Sequence, residues 1–257
     1  MSETRLPKTP SFRLDGRRAL VTGAGRGIGR AAACALAEAG AHVVLASRSA
    51  GELEELAKDI RETGGSAEPL CLDAADVEAV RAAIDPLEGF HVLVNNAGAN
   101  RPQPFLDVTV ENYDAVTDLN VRGAFFTAQA VARGMVRDGV AGSIINISSQ
   151  MGHVGGANRS VYCATKHAIE GLTRVLAVEL AEHGIRANTL CPTFIETPMT
   201  APFLADPGFR KNVLEKIVLG RTGKVEDLMG AILFLASDAS ALMTGSSLLV
   251  DGGWTAS

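Results

Sequence analysis

A chain of 257 residues with 47% apolar and 21% charged side chains has the size and composition of one α/β unit around a large core. The formal net charge of −5, with no run of Lys or Arg, argues against nucleic acid or an anionic membrane as partner. No apolar stretch approaches the ~18 residues of a membrane span, and Cys34, Cys71, Cys163 and Cys191 form no CxxC or His/Cys cluster, so a cytoplasmic protein with reduced thiols and no metal is expected.

Residues 1–11 are polar, carry Pro7 and Pro10, and lack the apolar core of a secretion signal. They read as a flexible tail ahead of a single domain over 12–257. From there strand-like and helix-like segments alternate. Ala19–Thr22 is a short apolar run that ends in glycines, and Ile28–Ala39 is an alanine-rich helix stopped by Gly40. His42–Ala46 is β-like, and Glu52–Thr63 has helical periodicity. Leu70–Leu72, Val92–Val94, Ser143–Ile147, Arg186–Leu190 and Ser247–Val250 complete about seven strands. Long helices are expected over Asn112–Arg137 and Ser160–Glu182. Short apolar strands separated by helices imply a doubly wound parallel sheet of the Rossmann type, covered on both faces. The stretch 197–216, with Pro198, Pro202 and Pro207, interrupts the alternation and is expected to form a lid over the substrate.

Two loops carry binding chemistry. Thr22-Gly23-Ala24-Gly25-Arg26-Gly27-Ile28-Gly29 joins the first strand to the first helix, where a glycine-lined backbone and a helix N-terminus suit a pyrophosphate. Its spacing is TGxxxGxG rather than GxGxxG. Asn95-Asn96-Ala97-Gly98 follows another apolar strand, with small residues that leave room for a ligand over the strand end.

A second group carries acid–base chemistry. Tyr162 and Lys166 are four residues apart in a helical stretch and so share a face. A phenol has a pKa of ~10, and a neighbouring ammonium is expected to lower it. Ser149 stands just past the strand Ser143–Ile147, where its hydroxyl could reach the same substrate oxygen as Tyr162. Asn120 offers an amide to hold a water near Lys166.

In this order and spacing, the motif at 22–29, Asp73, Asn95-Asn96-Ala97-Gly98, Asn120, Ser149, Tyr162-x-x-x-Lys166, Pro192 and Val250-Asp251-Gly252-Gly253 resemble the short-chain dehydrogenase/reductase family over nearly the whole chain. The resemblance implies a hydride-transferring oxidoreductase. In it Tyr162 is the general acid/base, Ser149 orients the oxyanion, Lys166 lowers the tyrosine pKa and binds ribose, and Asn120 supports a proton-relay water. It also implies cofactor contacts at Gly23, Arg26, Gly27, Ile28, Gly29, Ser47, Arg48, Asp73, Asn95, Ala97, Gly98, Tyr162, Lys166, Pro192, Ile195 and Thr197. Thr193 departs from the glycine usual after Pro192 and adds a Cβ and a hydroxyl to the site.

At the end of the second strand stands Ser47-Arg48, where an acidic residue would hold a ribose 2′-hydroxyl. A guanidinium suits a 2′-phosphate instead, and Arg26 is placed to help. NADP is therefore expected over NAD. Phe12–Gly16, the run 96–101 and Asp251-Gly252-Gly253-Trp254 resemble gluconate 5-dehydrogenase-type and other sugar or polyol members. Arg101, Gln150, His153 and Met199 are candidate substrate contacts, Arg101 for a sugar acid. The competing readings are a 3-oxoacyl-ACP reductase-like enzyme and a catalytically silent NADP sensor, although the catalytic set is intact. The family resemblance also implies a homotetramer.

Overall fold

Seven parallel strands form one sheet in the order β3-β2-β1-β4-β5-β6-β7. They are β1 (Arg18–Thr22), β2 (His42–Ser47), β3 (Ser66–Cys71), β4 (Val92–Asn95), β5 (Ser143–Ile147), β6 (Arg186–Pro192) and β7 (Ser247–Val250). The computed structural model describes residues 6–256. The expected tail falls partly outside them, at 1–5, while residues 6–13 are exposed and have no regular structure.

The central strands are buried along their whole length, as β4 (VLVN) and β5 (SIINI) show. That is the signature of a parallel sheet covered on both faces. On one face pack α1 (Gly27–Glu38), α2 (Ala50–Glu62) and, from the far end of the chain, a helix over Glu226–Ala236. On the other face are α3 (Val77–Ile84) and the helices at 124–137 and 160–179, with Val80, Ile84, Val131 and Met135 against Leu20, Leu93 and Ile144.

The expected strands are all present, with one displaced. The third begins at Ser66, not Leu70, and its sequence SAEPLC shows no apolar run. As an edge strand it buries only part of its surface, and it tolerates Pro69 because one side of it needs no ladder hydrogen bond.

The stretch expected as one helix over Asn112–Arg137 is three segments: α4 (Val110–Thr117), a π-helical turn at Asp118–Gly123, and α5 (Ala124–Arg137). The extra residue of a π turn lets Asn120 point inward. Gly123 permits the turn, because a Cβ there would drive into the carbonyl oxygen of Ala74. Downstream, α6 (Ser160–Glu179) stops three residues short of the expected end and continues as a 3₁₀ turn at Ala181–His183. The proline-rich stretch contains α7 (Ala201–Leu204) and α8 (Pro207–Leu214), and α9 (Glu226–Ala236) follows. Leu204, Val213 and Ile217 form a small separate core with Phe194, Phe209 and Trp254.

Buried Asn95 ties the sheet together at the end of β4. Its Nδ2 donates to the Ala124 carbonyl at 2.8 Å and to Asn146 Oδ1 at 3.1 Å, and its Oδ1 accepts from Thr22. Asn146 in turn donates to Thr173 at 2.9 Å. Replacing Asn95 by Leu strands several buried polar atoms at once, each costing about 1–3 kcal/mol. The urea midpoint of Asn95→Leu is expected to fall by an amount equivalent to about 2–4 kcal/mol at unchanged slope. An unchanged midpoint would show that the asparagine does not hold the strands.

Candidate active site

In a parallel sheet of this order the crevice opens where β1 and β4, neighbours with crossovers in opposite directions, end side by side. Here a cleft of about 500 Å³ runs across their carboxyl ends. Thr22 stitches its floor. The threonine hydroxyl accepts from the backbone N–H of Asn96 at 2.9 Å and of Ala97 at 3.0 Å, and Asn96 Nδ2 donates back to the Thr22 carbonyl at 2.9 Å.

The glycine loop lies along this floor. Gly23 and Gly27 have φ of 64° and 56°, a left-handed conformation that glycine adopts without cost. Gly29 is enforced by packing, since a Cβ would drive into the Gly23 carbonyl. The N-terminus of α1 that follows has no side-chain cap and no acidic residue in its first turn. Its free N–H groups and partial positive charge therefore face the cleft unopposed, and the fit is to an anion such as a pyrophosphate.

At the adenine-side end stand Ser47, Arg48, Arg26 and Asp73. The Arg48 side chain is 74% exposed and lies 3.9 Å from Asp73, so its charge is largely uncommitted. Glu52, from the first turn of α2, lines the same end against Gly25 and was not anticipated from sequence. Gly98, Ala97, Pro192, Ile195 and Thr197 line the other half of the cleft. Asn95 and Gly29 do not reach the cleft wall; they hold the strands and the loop that form it.

Ser149, Tyr162 and Lys166 meet where this trough deepens. Ser149 Oγ donates to Gln150 Oε1 at 3.1 Å and accepts from the Met151 N–H at 3.1 Å. Lys166 Nζ donates to the Ile147 carbonyl at 2.8 Å and lies 5.5 Å from the centre of the Tyr162 ring. Burial pushes the Tyr162 phenol up to about 12, and a hydrogen bond with Ser149 only partly offsets it. Burial lowers Lys166 to about 8. Desolvation outweighs the one charge that favours phenolate here, which comes from Arg159 rather than from the expected Lys166 ammonium. Asn120 is fully committed. Its Oδ1 accepts from the Ala99 N–H at 2.8 Å, and its Nδ2 donates to the Ala99 carbonyl at 2.9 Å and to Thr165 Oγ1 at 3.1 Å.

The candidate substrate residues divide. Met199 lines the cleft from the proline-rich segment, and Arg101 lines its mouth with one N–H donated to Asn112 at 2.9 Å. Gln150 is buried behind Ser149, and His153 lies 3.7 Å from the buried Glu170; neither lines the cleft.

Three polar atoms were not anticipated. Asn100 Oδ1, Ser148 Oγ and Thr193 Oγ1 belong to residues that line the cleft, but the atoms themselves are buried and have no hydrogen-bond partner. Only the unusual threonine after Pro192 gave a signal in the sequence. Glu170, one turn beyond Lys166, was also missed. It is buried and accepts from Thr189 at 3.0 Å and Ser247 at 2.6 Å, donors that come from distant strands.

Comparison with known proteins agrees with this geometry. Residues 23–255 match the model of a family described as enoyl-(acyl carrier protein) reductase. The D-erythrulose reductase of Gallus gallus is 47% identical over 248 residues, 96% of this chain and 99% of that one. The L-xylulose reductase of Bos taurus is 47% identical over 245 residues, 95% of this chain and 99% of that one. The crystal structure of a gluconate 5-dehydrogenase from Burkholderia cenocepacia J2315, in complex with NADP and tartrate, superposes with a TM-score of 0.92 at 41% identity, covering 96% of this chain and 98% of that one. With the glycine cradle, the strand order and the Ser149, Tyr162 and Lys166 group in one cleft, these matches show that the chain belongs to the short-chain dehydrogenase/reductase family.

Proposed function

We propose that the protein is an NADP-dependent oxidoreductase that interconverts a secondary hydroxyl and a carbonyl on a sugar, sugar acid or polyol. The observation that carries this reading is the meeting of Ser149, Tyr162 and Lys166 in one cleft with the glycine cradle and the largely uncommitted Arg48. The relatives that act on erythrulose and xylulose, and the neighbour named for gluconate, point the same way.

The cofactor fits the open α1 N-terminus and the arginines at the adenine end, and when bound it supplies or accepts the hydride. In carbonyl reduction Tyr162 donates its proton to the substrate oxygen while the Ser149 hydroxyl steadies the same oxygen. In oxidation Tyr162 takes that proton back. Lys166 supplies the positive charge that makes phenolate accessible, and it holds ribose. Asn120 fixes the Ala99 loop and α6 relative to each other through Thr165. Segment 197–216 acts as the lid, since Pro198, Met199 and Thr200 already wall the cleft.

Exposed apolar side chains at Phe105, Leu106, Val110 and Tyr113, and at Val175 and Val178 on α6, support a homotetramer built on these helices. Among the described residues no helix is long and apolar enough to cross a membrane.

Tyr162→Phe is expected to lower turnover ~10²–10⁴-fold while NADPH still binds, as measured by cofactor fluorescence. Near-wild-type turnover would remove Tyr162 from the chemistry. Arg48→Ala is expected to weaken NADP by about tenfold or more, with NAD affinity little changed. A wild-type preference for NAD would overturn the cofactor reading. The apparent second-order rate with NADPH reports ionisations of the free enzyme. Because folded Lys166 titrates near 8, that rate is expected to fall as pH rises through about 8. Lys166→Arg is expected to abolish this limb, and a limb that persists in the variant belongs to another group.

A further inference from the structure

Arg159 stands one helical turn before Tyr162, at the N-terminal boundary of α6. It is only 6% exposed, which is unusual for an arginine. Among the described residues no carboxylate lies near enough to pair with it or act on its charge, and the one hydrogen bond of its guanidinium is a long 3.5 Å contact to the Asn158 carbonyl. Burial holds its guanidinium below the ordinary arginine range. What surrounds it is aromatic: the ring of Phe203 on α7 lies 5.1 Å from the guanidinium carbon, and that of Phe209 on α8 lies 6.0 Å away. A guanidinium stacked on rings by its face keeps its N–H edge free for a planar anion.

The location is equally specific. Arg159 does not itself line the cleft; it is packed between the lid helices and the catalytic helix, directly behind the wall to which Tyr162 on one side and Met199 and Thr200 on the other contribute, so a shift of the lid segment is what would open it to a substrate. Two further contacts fix its mounting. Asn158 is the one non-glycine described residue with positive φ, at 58°, and its carbonyl accepts from the Gln103 N–H at 3.1 Å. The loop after β4 and the loop before α6 are thereby tied at this point. A buried charge without a partner is costly, and the cost disappears when a ligand brings the opposite charge. One guanidinium edge matches one carboxylate.

Building on the oxidoreductase reading above, we infer that Arg159 is an anion site beneath the lid that binds the carboxylate of a sugar acid and makes such acids, rather than neutral ketoses, the preferred substrates. Arg101, the anion candidate suggested by the sequence, is exposed and already shares its guanidinium with Asn112, so water screens it. Arg159 also joins recognition to closure, because Phe203 and Phe209 that stack on it belong to the lid.

The test compares NADPH-dependent reduction of 5-keto-D-gluconate and of L-xylulose by the wild type, Arg159→Met and Arg159→Lys. Wild type is expected to favour the acid. Arg159→Met, which keeps an apolar side chain between the two rings, is expected to raise the KM for the acid at least tenfold and that for the ketose less than about threefold. Arg159→Lys, which retains charge but not the planar fork, is expected to fall between, and it carries the test alone if the methionine variant fails to fold. Equal changes with both substrates would make Arg159 a latch for the lid and overturn the inference. Wild-type reduction of L-xylulose with no turnover of, or inhibition by, sugar acids would overturn it as well, leaving the oxidoreductase reading intact. If neither substrate is reduced, the sugar reading itself fails, and the acid site with it.

Discussion

The Thr22 hydroxyl accepts two backbone N–H groups from the chain beyond β4, and the rest of the site depends on that junction. Two parallel strands that diverge at their carboxyl ends leave backbone amides unpaired, and buried amides must find partners. One side chain satisfies both, holds the strand ends at a defined separation and leaves the α1 N-terminus clear of them. The glycine loop can then cross the gap only with residues that lack a Cβ where it meets Gly23 and Thr197. The anion cradle is thus a consequence of how the sheet is finished at its switch point.

The chemistry beside the cradle depends on desolvation. Tyr162 keeps its proton and Lys166 is driven toward neutrality by the same burial. The free protein is therefore biased toward the form that donates a proton to a carbonyl. A ligand that brings negative charge beside Lys166 would restore its ammonium, and the ammonium would in turn favour phenolate. Binding and acid–base competence are coupled through two buried groups that lie within one helical turn.

Much of this was legible in the sequence. The apolar strands, the glycine loop and the Tyr162–Lys166 spacing are local patterns, and each has one physical reading once strands and helices alternate. Failures have a common origin in contacts between distant parts of the chain. The third strand was drawn short because an edge strand need not be apolar. Gln150 and His153 were candidate substrate contacts, but Gln150 accepts from Ser149 from behind and His153 lies 3.7 Å from buried Glu170. Glu170 lies on α6 and Arg159 at its N-terminal boundary, in a stretch read only for the Tyr162–Lys166 spacing. Their burial depends on Ser247 and Thr189 in one case, and on Phe203 and Phe209 in the other. No spacing rule within α6 connects them to those residues.

The π turn at Asp118–Gly123 has a consequence for how this segment is compared with other helices. One surplus residue advances everything after it by about 100° around the helix axis. The buried side of α4 and that of α5 therefore follow different phases, although the backbone runs on without a loop. A helical wheel drawn through the whole stretch smears two clean stripes into one diffuse band. An alignment that restores regularity by closing up a residue would put Leu119 or Val121 where Asn120 belongs. In this segment the count of residues, more than their identity, carries the functional information.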